Sequence, residues 1–141
     1  MRLILNILWL ICGGLIGGGL WLLAALFFAI TIIGLPWAGA AAKIGLFTLW
    51  PFGQTAVPRA ELTGREDLGT GPLGSLGNII WLLLVGWWLA LGHLSAAVAL
   101  AITIIGIPFA WQHLKLAGMA LWPIGTEIVP YAVADAAYRR F

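Results

Sequence analysis

Apolar residues run almost unbroken along two long stretches of this chain, and polar residues gather between and after them. No Asp, Glu, Lys or Arg occurs from Leu3 to Ala42 or from Leu68 to Leu114. A helix needs ~20 apolar residues to cross a hydrocarbon core of ~30 Å. The pattern therefore predicts an all-α integral membrane protein with about four membrane-embedded segments.

The two apolar stretches are copies of one another. Residues 6–58 align without a gap on residues 78–130, and 23 of these 53 positions are identical. The identities concentrate in Asn-Ile-x-Trp, in Ile-Thr-Ile-Ile-Gly-x-Pro and in Leu-Trp-Pro-x-Gly. Such a tandem repeat predicts two copies of one helical unit that face each other across a pseudo-symmetric contact.

Each copy carries a break in the helical pattern at the same place. The breaks are Gly34 with Pro36, and Gly106 with Pro108. Proline removes a backbone donor and disfavours helical geometry at the residue before it, but it suits the first turn of a helix. We expect one helix to end before each proline and a second to run from there to Trp50-Pro51 or Trp122-Pro123.

Two arrangements of the run from Leu3 to Ile33 remain open. It forms either one long helix followed by a shorter returning helix, or a tight hairpin bent at the glycines. Gly13 and Gly17 also have the Gly-x-x-x-Gly spacing that lets two membrane helices approach closely. The second copy replaces them with Val85 and Leu89, so this feature belongs to the first copy.

The charges divide the chain and suggest its orientation. We predict a first membrane repeat at 1–58, a polar linker at 59–74, and a second repeat with a short polar tail at 75–141. Arginines flank the repeats at positions 2, 59, 65, 139 and 140. Cytoplasmic loops are rich in Lys and Arg, which favours a multi-pass protein with cytoplasmic termini and repeats in the same orientation. An odd number of crossings per copy would instead give an inverted pair.

The composition excludes several classes of protein. The chain is 62% hydrophobic and 9% charged, whereas soluble domains carry roughly a quarter charged residues. Its pI of about 9.1 rests on scattered basic residues rather than on a cluster, so nucleic acid is not an expected partner. The expected partners are the lipid bilayer, and a second copy or another membrane protein.

Few residues offer chemistry inside the apolar stretches. Lys43 and Lys115 occupy equivalent positions, as do Thr31 and Thr103. A membrane lysine either snorkels to the interface or serves a function, and no acid lies close to either lysine in sequence. These four residues are the candidate pathway residues.

The histidines, asparagines and tryptophans have simpler interpretations. His93 follows Trp87 and Trp88 and is expected at the membrane interface. Asn6 and Asn78 need polar partners, either at helix caps or at the proline break. Tryptophans near segment ends predict an aromatic belt, and they are Trp9, Trp37, Trp50, Trp81 and Trp122. No catalytic, metal or cofactor site is predicted.

The repeated motifs resemble a known family. Asn78 to Trp81, Gly86 to His93, Ile102 to Phe109 and Leu121 to Gly125 are similar to the YccF-type inner membrane component domain, and Asn6 to Gly53 is a weaker copy. The resemblance implies a small bacterial inner-membrane protein with two domain copies and two membrane segments per copy, without an established activity. We expect a non-enzymatic structural or interaction component. The alternative is a small oligomeric channel or transporter with its pathway along the repeat interface.

Overall fold

A computed structural model describes residues 1–139 and shows two helical hairpins joined by a small polar unit. The first copy contains α1 (Arg2–Trp9), a π-helical turn (Leu10–Gly14), α2 (Leu15–Ile30), a 3-10 turn (Ile32–Gly34), α3 (Leu35–Leu49) and β1 (Gln54–Pro58). The second contains α5 (Pro72–Trp81), a π-helical turn (Leu82–Gly86), α6 (Trp87–Ala101), a 3-10 turn (Ile104–Gly106), α7 (Ile107–Leu121) and β2 (Thr126–Pro130). Helix α4 (Arg59–Thr63) lies in the linker, and α8 (Tyr131–Tyr138) follows β2.

Each apolar run forms one long helix and a shorter returning helix, the first of the two arrangements left open by the sequence. The run Arg2–Ile30 is a helical segment of 29 residues with a kink at Gly13, and α2 packs along α3. Pro36 and Pro108 lie in the first turns of α3 and α7, where no intrahelical donor is needed. The predicted all-helical membrane fold with Gly/Pro breaks is confirmed.

Within residues 1–139, three helical segments are long and apolar enough to cross a membrane. They are Arg2–Ile30, Ile32–Leu49 and Pro72–Ala101. The returning helix α7 has 15 residues, which corresponds to ~22 Å at 1.5 Å per residue. Its equivalent α3 has the same length, and the fourth segment expected from the sequence differs from it by Gln112 and His113, which stand where α3 has Ala40 and Ala41.

Asparagine side chains close the base of each hairpin at equivalent places. Asn6 donates to the Phe52 carbonyl at 3.1 Å and accepts from the Phe52 N–H at 2.9 Å. Asn78 forms the same pair of bonds with Ile124, both at 2.9 Å. These bonds satisfy the backbone just after Trp50-Pro51 and Trp122-Pro123, rather than at the Gly-x-Pro break. We call each pair of bonds an asparagine clasp.

Two of the expected interfacial tryptophans are core residues instead. Trp9 and Trp81 are fully buried, and their indole N–H groups donate to the carbonyls of Thr48 and Ala120 at 2.6 and 2.8 Å. The aromatic-belt prediction is wrong for these two, because each indole locks the long helix to the returning helix. Trp50 and Trp122 are exposed at the ends of the returning helices.

Equivalent residues of the two copies meet at two points, as expected where a pseudo-two-fold axis passes. Strands β1 and β2 pair antiparallel, with Ala56 opposite Ile128, which is its equivalent 72 positions later. Trp21 contacts its own equivalent, His93. The short strands had no clear sequence signal, since each finds its hydrogen-bond partner only in the other copy.

The polar parts of the chain gather around this two-stranded sheet. Helix α8 contacts both strands and α4, and the Arg59 N–H donates to the Gly125 carbonyl at 2.8 Å. The side chain of Arg2 lies beside Gly53, just before β1. The start of the chain, the linker and the last described helix therefore share one end of the hairpins.

Candidate functional site

A hydrogen-bonded array of aromatic rings lies buried between the two copies. The Trp21 N–H donates to Nε2 of His93 at 3.1 Å, and Nδ1 of His93 lies 2.9 Å from Nδ1 of His113. All three side chains are buried. The ring of Trp9 packs against His113 with centroids 4.5 Å apart. The array joins α2 of one copy to α6 and α7 of the other.

The direction of these bonds assigns the protons. An indole nitrogen can only donate, so Nε2 of His93 is the acceptor and its ring proton lies on Nδ1. That proton is donated to Nδ1 of His113, which places the proton of His113 on Nε2. Both rings are neutral in this arrangement, because a doubly protonated histidine has no acceptor.

Nε2 of His113 ends the array without a partner. It is buried, and within residues 1–139 no group meets hydrogen-bond geometry with it, although the backbone of Cys12 lies close to the ring. Both histidines line a cavity of about 220 Å³ together with Gly13, Gly17 and Gly92. A Cβ on Gly13 would lie 2.8 Å from Nε2 of His113, and one on Gly17 would lie 3.0 Å from Cε1 of His93. The first-copy glycines therefore make room for the histidines of the second copy.

The sequence placed His93 at the membrane interface, and this prediction is wrong. Residues on a pseudo-two-fold axis face their own equivalents, and Trp21 and His93 do so. A difference between the two copies could have pointed to this array. The second copy has His93 and His113 where the first has Trp21 and Ala41. Residues 1–139 contain no group of three or more His, Cys, Asp and Glu arranged to hold a metal ion.

Lys43 has an acidic partner that its local sequence does not reveal. Its Nζ lies 2.9 Å from both carboxylate oxygens of Glu127, which is 84 positions away on β2. The Arg59 guanidinium lies 3.8 Å from the same carboxylate. The lysine side chain remains half exposed. Lys43 is therefore part of the polar unit around the sheet.

The linker is held by a second ion pair. Arg59 donates to both carboxylate oxygens of Asp67, at 2.6 and 2.9 Å. The hydrogen bond from Arg59 lowers the pKa of Asp67 from 3.8 to about 2, with further help from the N–H groups of Gly69 and Thr70. Asp67 therefore stays ionised and keeps the linker folded back toward α4.

The four candidate pathway residues do not come together. Lys43 and Lys115 line separate cavities of about 690 and 400 Å³, and neither threonine lines them. Thr31 and Thr103 lie at the tips of the hairpins, where their hydroxyls donate to the carbonyls of Phe28 and Leu100, both at 2.9 Å. These bonds satisfy carbonyls at the ends of α2 and α6.

Comparison with known proteins agrees with this architecture. The profile of the YccF inner membrane component domain matches twice, over residues 4–54 and 76–126. The chain is 40% identical over 140 residues to the inner membrane protein YccF of Escherichia coli (strain K12), and equally to that of Shigella flexneri. Each alignment covers 97% of this chain and 93% of the relative.

No solved structure matches the chain significantly. The two profile matches fall on the two hairpins with their asparagine clasps, and the apolar helices fit an inner-membrane location. The chain therefore belongs to the YccF family of inner membrane component domains.

Proposed function

We propose that this protein is a non-enzymatic structural or interaction component of the inner membrane. The supporting observation is that three kinds of side chain present in both copies, Asn, Thr and buried Trp, form internal bonds to the backbone. The asparagines close the hairpin bases, the threonines satisfy carbonyls at the tips, and Trp9 and Trp81 join the paired helices. The repeated polar residues thus stabilise the hairpins, and the bilayer is the main partner of the exposed apolar faces.

A second copy or another membrane protein is the further partner in this proposal. Apolar side chains remain highly exposed at the hairpin tips, with Ile32 at 89% and Ile104 at 85%. Side chains of this kind pack equally well against lipid tails and against a neighbouring apolar helix. The proposal therefore includes a homo-oligomer without requiring a particular number of subunits.

A channel or transporter is the second candidate, and the buried array at the copy interface favours it. Ionisable residues inside a membrane protein commonly mark ion or proton pathways. His93 and His113 lie where the alternative placed a pathway, between the two copies. In this candidate function, the histidines replace the lysines and threonines as the residues along the pathway.

Proton flux into proteoliposomes separates the two functions. If the protein is a structural component, the internal pH of the vesicles, reported by a trapped indicator dye, should change no faster than in protein-free vesicles under the same imposed potential. A pathway through the array would instead give flux that the variant His113→Phe abolishes. The control variant Trp111→Phe changes an exposed neighbour on α7 and would leave that flux intact. Flux with this pattern would refute the structural proposal.

We further propose that both termini and the linker face the cytoplasm. The protein would then be multi-pass, and each copy would cross the membrane an even number of times. The positions of Arg2, the linker and α8 around one sheet support a shared face, and their arginines favour the cytoplasmic side. In a background of Cys12→Ala, single cysteines at positions 2, 62 and 139 should react with an impermeant maleimide only after the membrane is opened. Cysteines at tip positions 32 and 104 should react in intact spheroplasts. Labelling of position 62 from the opposite side to position 2 would contradict this topology.

A further inference from the structure

The two equivalent lysines have different electrostatic surroundings. Lys43 of the first copy is neutralised by Glu127 of β2 at 2.9 Å. The residue of β1 equivalent to Glu127 is Thr55, and Thr55 lines the same cavity as Lys115. Lys115 is exposed and forms no ion pair with any residue from 1 to 139. Both copies therefore carry the lysine, but only Lys43 has an acidic partner.

The cavity beside Lys115 also presents hydrogen-bonding groups. It has a volume of about 400 Å³ and is lined by Gln54, Thr55 and Gln112 on its polar side. Gln112 is 6% exposed and lines the cavity. Its amide forms no side-chain hydrogen bond within the described part of the chain, and it is not among the buried polar atoms that lack a partner. The amide is therefore open to the cavity and free to bond a ligand. The equivalent residue in the first copy is Ala40.

The cavity also has an apolar wall. It is formed by Phe47, Met119 and Trp122, and the exposed Trp122 lies at the end of α7. The cavity borders β1 and therefore lies at the end of the hairpins that carries the linker and the ion pairs. A ligand with a small anionic head and an apolar body fits both walls.

We propose that this cavity binds the phosphate of an anionic phospholipid headgroup. The ammonium of Lys115 supplies the charge, and the amides of Gln112 and Gln54 and the hydroxyl of Thr55 donate hydrogen bonds to phosphate oxygens. The glycerol and the first acyl carbons pack against Met119 and Trp122. The cavity beside Lys43 does not bind the same group, because the Glu127 carboxylate is already paired with Lys43 and repels a second anion.

Lipid titration of the full-length protein in a zwitterionic detergent tests this proposal. Short-chain phosphatidylglycerol and phosphatidylcholine are added in parallel, and bound lipid is counted by native mass spectrometry. We expect one phosphatidylglycerol to bind at least about fivefold more tightly than phosphatidylcholine, given the contribution of one lysine near an anionic surface. Equal binding of the two lipids would overturn the proposal.

Matched variants locate the site within the chain. Lys115→Gln removes the cation, and Thr55→Glu recreates in the second copy the acid that neutralises Lys43. Both variants should lose the preference for phosphatidylglycerol, whereas Lys43→Gln should keep it. If Lys115→Gln does not fold, Thr55→Glu gives the same test with the lysine in place. An equal loss in Lys43→Gln would refute the assignment to Lys115.

Inorganic phosphate distinguishes a lipid site from a free-phosphate site. Because the apolar wall contributes to lipid binding, millimolar phosphate should displace little phosphatidylglycerol. Complete displacement at that concentration would show that the cavity selects a free anion, and the lipid assignment would be wrong.

Discussion

Replacing Asn78 with Leu is expected to lower the free energy of unfolding by about 2–4 kcal/mol. The leucine keeps the branching and the number of side-chain heavy atoms but removes both bonds of the second asparagine clasp. The N–H and the carbonyl of Ile124 are then left without partners in a buried place. In an apolar environment each unpaired backbone group costs about 1–3 kcal/mol. Chemical denaturation in detergent, followed by circular dichroism, measures the loss.

The repeat provides a companion variant and a control. Asn6→Leu removes the same pair of bonds from the first copy, so we expect a loss of similar size. Ile79→Leu changes the next residue, which is half exposed, and should leave the unfolding midpoint within experimental error. If Asn78→Leu unfolds at the same denaturant concentration as the unmodified protein, the clasp does not stabilise the hairpin.

Much of the fold could be predicted from the sequence, because the repeat and the prolines are local signals. Pro36 and Pro108 fixed where α3 and α7 begin, and Trp50-Pro51 fixed where α3 ends. The glycines alone could not decide between a long helix and a bent hairpin. The chain kinks at Gly13, but α2 continues beyond the kink and does not fold back on α1.

The array of Trp21, His93 and His113 was missed because it depends on which positions lie at the copy interface. The alignment marks His93 as equivalent to Trp21, but it does not show that the two side chains meet. The partner of Lys43 was missed for a related reason. Glu127 lies on a strand that forms only when both copies are present, so neither local spacing nor helical periodicity could predict the ion pair.

Replacing Gly13 with Ala should also destabilise the protein by about 2–4 kcal/mol. Gly13 has a φ of +126°, a conformation that is costly for any residue with a Cβ. The new methyl group would also lie 2.8 Å from Nε2 of His113, a residue of the other copy. The equivalent residue in the second copy is Val85, and no positive φ occurs there. The strain is therefore specific to the kink in the first copy.

Gly19→Ala is the matched control, because it adds the same methyl group to the same helical run. Apart from the adjacent residues and the backbone of its own helix, no atom lies within 4 Å of a Cβ at Gly19, and alanine is favoured over glycine inside a helix by up to ~1 kcal/mol. We expect Gly19→Ala to unfold at the same or a slightly higher denaturant concentration. A double-mutant cycle of Gly13→Ala with His113→Ala then separates the two causes. The part of the loss due to ring contact disappears without the histidine, whereas the part due to backbone strain persists. Equal stability of Gly13→Ala and Gly19→Ala would show that the kink at Gly13 is not required.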